Sequence, residues 1–391
     1  MLARKSLYAF SSEDPTAFGR HIAAASQEHA VYFDEGLGLP VVLRGADVIA
    51  AMKDPATFSN RVYDQGLMKG ALVALEGEAH ARMRRLYNSF FAPRALARYE
   101  AQIVSPAVDQ VLDELAKKER ADLIDDFATA MPIAVISALF GLPAANIHAN
   151  DALVKRMLLS IVRPYDEPIM ADAWKAYHEL EGQMREISAR EIAEPSDTLL
   201  GEVARALIAE GMGTVDDCER VVLTLILGSY ETTIWMLASV LAALLANPEA
   251  MRQVRAEPAL IPGAIDEATR WCGTSLGVVR FVEKDATLAG TPFTAGSAVF
   301  LSLTGAHYEA ANYPDPHVYD VKRRATALIF GMGPHYCVGA PLARMEARIG
   351  VGRLLARFPN LRADPERRPV FSTGPRGAAT FGPDSLMALL T

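Results

Sequence analysis

The feature that most constrains the fold is an apolar run. From Val221 to Ala246 there are 26 residues, and Glu231 is the one formal charge among them. Asp216-Asp217 supply N-cap chemistry in front of the run, and Asn247-Pro248 end it. A helix over 216–247 is about 45 Å long, enough to cross a whole domain or a bilayer. Apolar residues fall on all its faces, so it must be surrounded by protein or by lipid. Three features select protein. The charge stands near the middle, where lipid makes it most costly. The polar run Glu231-Thr232-Thr233 encloses it. No second span and no flanking basic cluster accompany it. The expectation is a buried core helix and no membrane partner.

Burying such a helix takes a large apolar mass. Apolar residues make up 51 % of the 391-residue chain, which supplies it and excludes disorder. Apolar and charged positions alternate at helical spacing over 96–118 and 171–193. Strand patterns are fewer: 30–34 and 39–43 flank a Gly-rich turn, and 277–301 holds more, with a turn at Ala289-Gly290-Thr291-Pro292. The stretch 304–335 is irregular, and a loop that long is usually functional. No repeat, low-complexity tract or linker divides the chain. The expected fold class is mainly α with a minor β portion, as one unit over 1–391. Its β-rich parts are expected at about 28–60, 277–303 and 368–391.

The net charge of −8 argues against nucleic acid as the main partner, because phosphate contacts need a basic face. The N-terminus lacks the apolar run of a signal peptide, and acidic residues begin at Glu13. Cysteines are three: Cys218, Cys272 and Cys337. A sparse, odd set makes no disulfide framework and fits a reducing compartment, so the expected location is cytoplasmic. One cysteine remains to be explained as packing, nucleophile or ligand.

Cys337 stands in Phe330-Gly331-Met332-Gly333-Pro334-His335-Tyr336-Cys337-Val338-Gly339, just before a helix expected to reach about Phe358. The positive end of that helix is expected to favour thiolate and lower the thiol pKa. Gly331, Gly333 and Gly339 let backbone approach the sulfur closely. Three readings are open on these residues. The thiol is a small buried hydrophobe. Or Gly331-Met332-Gly333 opens a dinucleotide loop, although Tyr336 stands where a third Gly or Ala belongs. Or the thiolate is the ligand of a haem iron. Structural zinc lacks partners, since only His335 is near, and the CxxCH pattern of covalent haem is absent.

The run Phe330-Gly331-x-Gly333-x-His335-x-Cys337-x-Gly339 resembles the haem-binding signature of the cytochrome P450 family. Other segments extend the resemblance, in the family's order, over nearly the whole chain. It implies a haem b cofactor, with Cys337 as iron ligand. It makes Glu267 and Arg270 the family's ExxR pair and Arg323 its third member, all structural. His80 and Arg84, four apart on one helix face, together with Arg280 and His335, match the contacts of the haem propionates. Glu231 and Thr232 match the acid–alcohol pair that steers protons to dioxygen. Gly228 and Ser229 depart from the usual Ala and Gly, and Tyr308 stands in Ala-His-Tyr-Glu where relatives often read Asn-Arg-Asp.

The activity so implied is insertion of one oxygen atom from O2 into a hydrophobic small molecule. Electrons come from NAD(P)H through separate proteins, a ferredoxin and its reductase, because 391 residues are consumed by the haem domain. Arg82, Arg85, Arg344 and Arg348 are candidates for a basic face toward an acidic partner. Motif offsets put the substrate pocket at Val62, Tyr63, Met68, Thr224, Leu227, Gly228, Leu276, Val278, Ala378 and Ala379. The competing expectations are a peroxide-using or non-oxygenating relative, or a haem-binding sensor or carrier without turnover. Glu231-Thr232 argues for the dioxygen route.

Overall fold

The computed structural model describes residues 6–229, 231–324, 328–374 and 380–391. Its largest sheet has five strands: β1 (Val31–Asp34), β2 (Leu39–Val42), β3 (Phe58–Ser59), β4 (Gly277–Val282) and β5 (Ala298–Ser302). Their order is β1-β2-β5-β4-β3. Only β2 and β5 run parallel, with Val41 beside Phe300; the other pairs are antiparallel. Short strands near 371–373, 381–383 and 387–389 form two smaller sheets with pieces from earlier in the chain. The β portion falls mainly in the three expected regions, with outlying strands at Ser11–Ser12, Arg120–Asp122 and Arg362–Ala363.

The rest is helical. The helices that build the site are α1 (Gly77–Phe90), α2 (Ala144–Val162), α3 (Glu167–Ala193), α4 (Val215–Ser229), α5 (Glu231–Ala246), α6 (Ile261–Trp271) and α7 (Ala340–Arg357). The amphipathic pattern over 171–193 is α3, which begins a turn earlier behind an Asp166 cap. The stretch 96–118 is broken. Helix Pro93–Tyr99 widens into a π turn at Glu100–Val104 before Ser105–Leu115 resumes. Pro106 explains this: it has no N–H to donate and its ring crowds the carbonyl one turn back, so the backbone widens to pass it.

The long apolar helix is α4 and α5, 32 residues from Val215 to Ala246. Its cap differs from the expected Asp216-Asp217. Thr214 caps it, with the Asp217 carboxylate reaching back to the Thr214 N–H and hydroxyl, a capping box. Among the described residues this is the one unbent helix long and apolar enough to cross a membrane, yet 71 % of its most apolar window is buried inside the protein. In α5 every residue from Glu231 to Leu245 is buried except Thr232. α6 and α7 pack against α5. One apolar cluster runs from Tyr8 to Leu390 through these helices.

Candidate active site

α4, α5 and the segment around Cys337 enclose a cavity of about 450 Å³, mostly apolar in its lining. Cys337 is in its wall. The loop before it turns on Gly331 and Gly333, at φ +70° and +73°. A Cβ at Gly333 would meet the Met52 carbonyl oxygen at 2.6 Å, so the position admits only glycine. The Cys337 N–H donates to the Phe330 carbonyl at 2.8 Å and closes the loop. Arg344 clamps it from outside: its guanidinium lies 4.4 Å from the Phe330 ring centre and donates to the Tyr336 hydroxyl at 2.7 Å and to Asp266.

The thiol of Cys337 is open to the cavity but enclosed by protein, and burial pushes its pKa up from the ordinary value. The N–H groups of Gly339 and Ala340, with Arg84 and Arg344, pull the other way without prevailing. The expected lowering by the helix end is therefore overturned: loss of water outweighs the N–H dipoles. A thiolate here requires a cation on the sulfur's open side, and a coordinating metal deprotonates a thiol outright.

On one side of Cys337 stands a basic group. His80 and Arg84 on α1 and His335 all line the cavity. The His80 and His335 rings lie 4.4 Å apart between centres. His80 Nε2 is buried without a hydrogen-bond partner, a donor site that fits a buried carboxylate. Burial first, then His335 and Arg84, lower its pKa. Arg280, two residues beyond Val278 on β4, is buried but not in the wall; its Nη1 donates to the Val279 carbonyl and it faces Tyr63 and Glu76. Sequence reasoning missed Glu76. Its carboxylate bonds His335 at 3.0 Å and the Asn60 N–H at 2.6 Å. The signal was its place four residues before His80, one helical turn.

On the opposite wall, Thr232 faces the cavity, its hydroxyl donating to the Gly228 carbonyl at 2.9 Å. Ser229 and Thr233 hydroxyls bond carbonyls one turn back in the same manner, on Leu225 and Ser229. The Ser229 hydroxyl is thus engaged within the helix. Glu231 points away from the cavity and is 3 % exposed, with Oε1 unpartnered. Burial pushes its carboxyl up to about 7, opposed by Lys155 and reinforced by Asp151, an ion pair on α2.

Glu267 and Arg270 on α6 are fully buried and joined by two hydrogen bonds of 2.7 and 2.8 Å. Arg323 Nε adds a third at 3.0 Å. Of the sequence-expected pocket, Tyr63, Met68, Thr224, Leu227, Gly228 and Val278 line the cavity, with Phe330 and Gly339. Val62 instead packs into a small neighbouring void, and Leu276 packs into the core while Ser275 takes the wall. Ala378 and Ala379 lie outside the described residues. Cys218 and Cys272 are buried packing residues. Three of the four arginines expected to greet a partner are paired internally: Arg82 with Glu210, Arg344 with Asp266 and Arg348 with Glu100.

The family model for cytochrome P450 matches residues 40–381 of this chain. The chain belongs to the cytochrome P450 family. This P450 is 47 % identical, over 98 % of both chains, to a C-19 steroid 1alpha-hydroxylase of Sorangium cellulosum. It is 32 % identical to the epothilone C/D epoxidase of Sorangium cellulosum, covering 88 % of this chain and 86 % of that one. Among solved structures, cytochrome P450 260B1 of Sorangium cellulosum superposes with a TM-score of 0.92 at 59 % identity, over the full length of both chains. The P450 fold, a haem iron cofactor, a hydrophobic substrate and monooxygenase activity follow from the family. The donor set agrees: a thiol, an unpartnered histidine nitrogen and an arginine in one enclosed, largely apolar cavity.

Proposed function

We propose that this P450 hydroxylates a steroid-sized hydrophobic molecule. The observation that carries the reading is one largely apolar cavity with Cys337 and Thr232 both in its wall. The 47 % identity to the steroid hydroxylase supports the substrate class. The whole chain is read as one haem domain. Cys337 holds the iron of haem b, and His80, Arg84, Arg280 and His335 hold the propionates. Phe330 and Gly339 shape the loop at the sulfur, and Glu267, Arg270 and Arg323 keep the fold that carries it. The haem, when bound, supplies the activation of dioxygen. The chain supplies the rest. Apolar walls from Tyr63 and Met68 to Leu227 and Val278 exclude water and orient the substrate. Gly228, whose Cβ position meets nothing within 4 Å, leaves room beside Thr232. Thr232 offers its hydroxyl to the cavity, and Glu231, raised to about 7, holds a proton beside it near neutral pH. The reading includes a cytoplasmic location and electrons from a ferredoxin and its reductase.

Titration of the haem enzyme with a small-molecule library that includes C-19 steroids tests this. Steroids are expected to displace water from the cavity and shift the haem absorption at micromolar concentration. A library in which only unrelated small polar compounds do so overturns the substrate class. Thr232→Ala is expected to keep the shift but divert NAD(P)H consumption to peroxide. Unchanged coupling in that variant favours the peroxide-using or carrier alternative.

A further inference from the structure

The residues matched to the propionates, His80, Arg84, Arg280 and His335, are all donors. An acid stands among them. Glu76 lies outside the cavity wall, yet its carboxylate bonds His335 Nε2 at 3.0 Å and the Asn60 N–H at 2.6 Å. Glu76 is the N-cap residue of α1, and a cap side chain ordinarily accepts from the first helical turn. This one makes no cap hydrogen bond. Gly77 begins the helix in left-handed backbone, at φ +59°. The Glu76 carbonyl meanwhile accepts the His80 N–H at 3.3 Å. One residue thus holds both histidines, His80 through its backbone and His335 through its side chain. Burial raises the Glu76 carboxyl, but His335, the Asn60 N–H and His80 prevail and hold it below its ordinary value. At neutral pH it is a carboxylate, an acceptor on both oxygens.

That choice of side chain is specific. Two N–H groups meet Glu76, one from Asn60 and one from the His335 ring. A carboxylate accepts from both. An amide has one acceptor oxygen and turns its NH2 on the other donor. With Nε2 committed to Glu76, Nδ1 is the ring nitrogen left for the haem. Without Glu76 the imidazole turns about its broad χ2 and offers either nitrogen. We propose that Glu76 is a positioning residue for the haem: it fixes the His335 ring through Nε2, so that Nδ1 meets a propionate. The same carboxylate ties the loop before Cys337 to Asn60, in the chain that follows β3. The proposal rests on the reading of His335 as a propionate contact.

The test follows haem leaving the holoenzyme for excess apomyoglobin, and the propionate bending band in its resonance Raman spectrum. Glu76→Gln is expected to release haem roughly tenfold faster, the worth of one hydrogen bond to a charged group. It is also expected to shift the band in the direction that His335→Ala shifts it. Glu76→Asp keeps both acceptors on a shorter stem and is expected to fall between Glu76→Gln and the wild type in both readouts. In the His335→Ala background Glu76→Gln is expected to add little, because the carboxylate acts through the ring. Equal acceleration in both backgrounds overturns the proposal, since Glu76 then serves the fold through Asn60. So does a Glu76→Gln enzyme with the wild-type band and release rate. If Glu76→Gln does not fold, Glu76→Asp decides: an intermediate band supports the proposal, and a wild-type band with wild-type release overturns it. If His335→Ala itself leaves both readouts unchanged, the reading of His335 fails and the proposal with it. Failure confined to the Glu76 variants removes the proposal and leaves that reading standing.

Discussion

His307 is wholly buried, and its Nε2 accepts the Leu328 N–H at 2.9 Å, at the head of the segment that leads to Cys337. Burial, with Arg270 nearby, lowers its pKa from 6.5 to about 3. Between those values the unfolded chain binds a proton that the folded chain does not. Stability from this residue is therefore complete above pH 6.5 and is lost as pH falls toward 3, at about 1.4 kcal/mol per unit. His307→Gln keeps an acceptor for Leu328 but does not titrate. Its guanidinium-unfolding free energy is expected to fall less steeply than that of the wild type from pH 6.5 to pH 4. Parallel acid limbs would show that another group governs them. The same competition between water and protein explains why the direction of the Cys337 pKa was not legible in the sequence. The sequence displays the helix end after the cysteine; it does not display how completely the surrounding chain strips water from the sulfur.

At the scale of elements, the Glu267–Arg270 pair joins α6 to the irregular stretch before Cys337. Arg270 donates to the carbonyls of His307, Pro316 and Val318, and its guanidinium lies against the Tyr308 and Tyr313 rings. Tyr308 in turn donates to the Trp271 carbonyl, so this departure from the family's pattern is packed into the staple. Glu267→Gln leaves Arg270 without its countercharge at zero exposure and is expected to cost about 3–5 kcal/mol. Arg323→Gln should cost less, because Arg323 is partly exposed and the Glu267–Arg270 pair survives it. Thermal unfolding, with haem retained through a desalting column, checks both. Equal losses would mean the staple acts as one unit. The three-residue spacing of Glu267 and Arg270 was visible in the sequence. The carbonyls that complete the staple were not, because backbone acceptors leave no compositional trace. The π turn at Glu100–Val104 was hidden likewise, since helical periodicity tolerates one extra residue while only Pro106 hints at it.

At the scale of the molecule, the long apolar helix organised the reading because its length, its central charge and its stop at Asn247-Pro248 all constrain one element, although its N-cap lies at Thr214. Pocket membership was less legible: Leu276 and Ser275 are neighbours, and only the twist of the chain between them decides which faces the cavity. The charge balance was least legible of all. Arg82, Arg344 and Arg348 read as a basic face, but each is neutralised by an acid distant in sequence, and among the described residues only Arg85 of the four has no ion-pair partner. The net charge of −8 opposes an acidic partner at long range. Electrostatic steering toward a ferredoxin should therefore be weak. Stopped-flow reduction of the substrate-bound enzyme is expected to show association on the order of 10⁵–10⁶ M⁻¹s⁻¹, as for docking without steering. That rate should change little as salt is raised and the Debye length shortens from about 30 Å to about 8 Å. A rate that falls tenfold or more over this range would mean that the arginines exchange their internal acids for those of the partner.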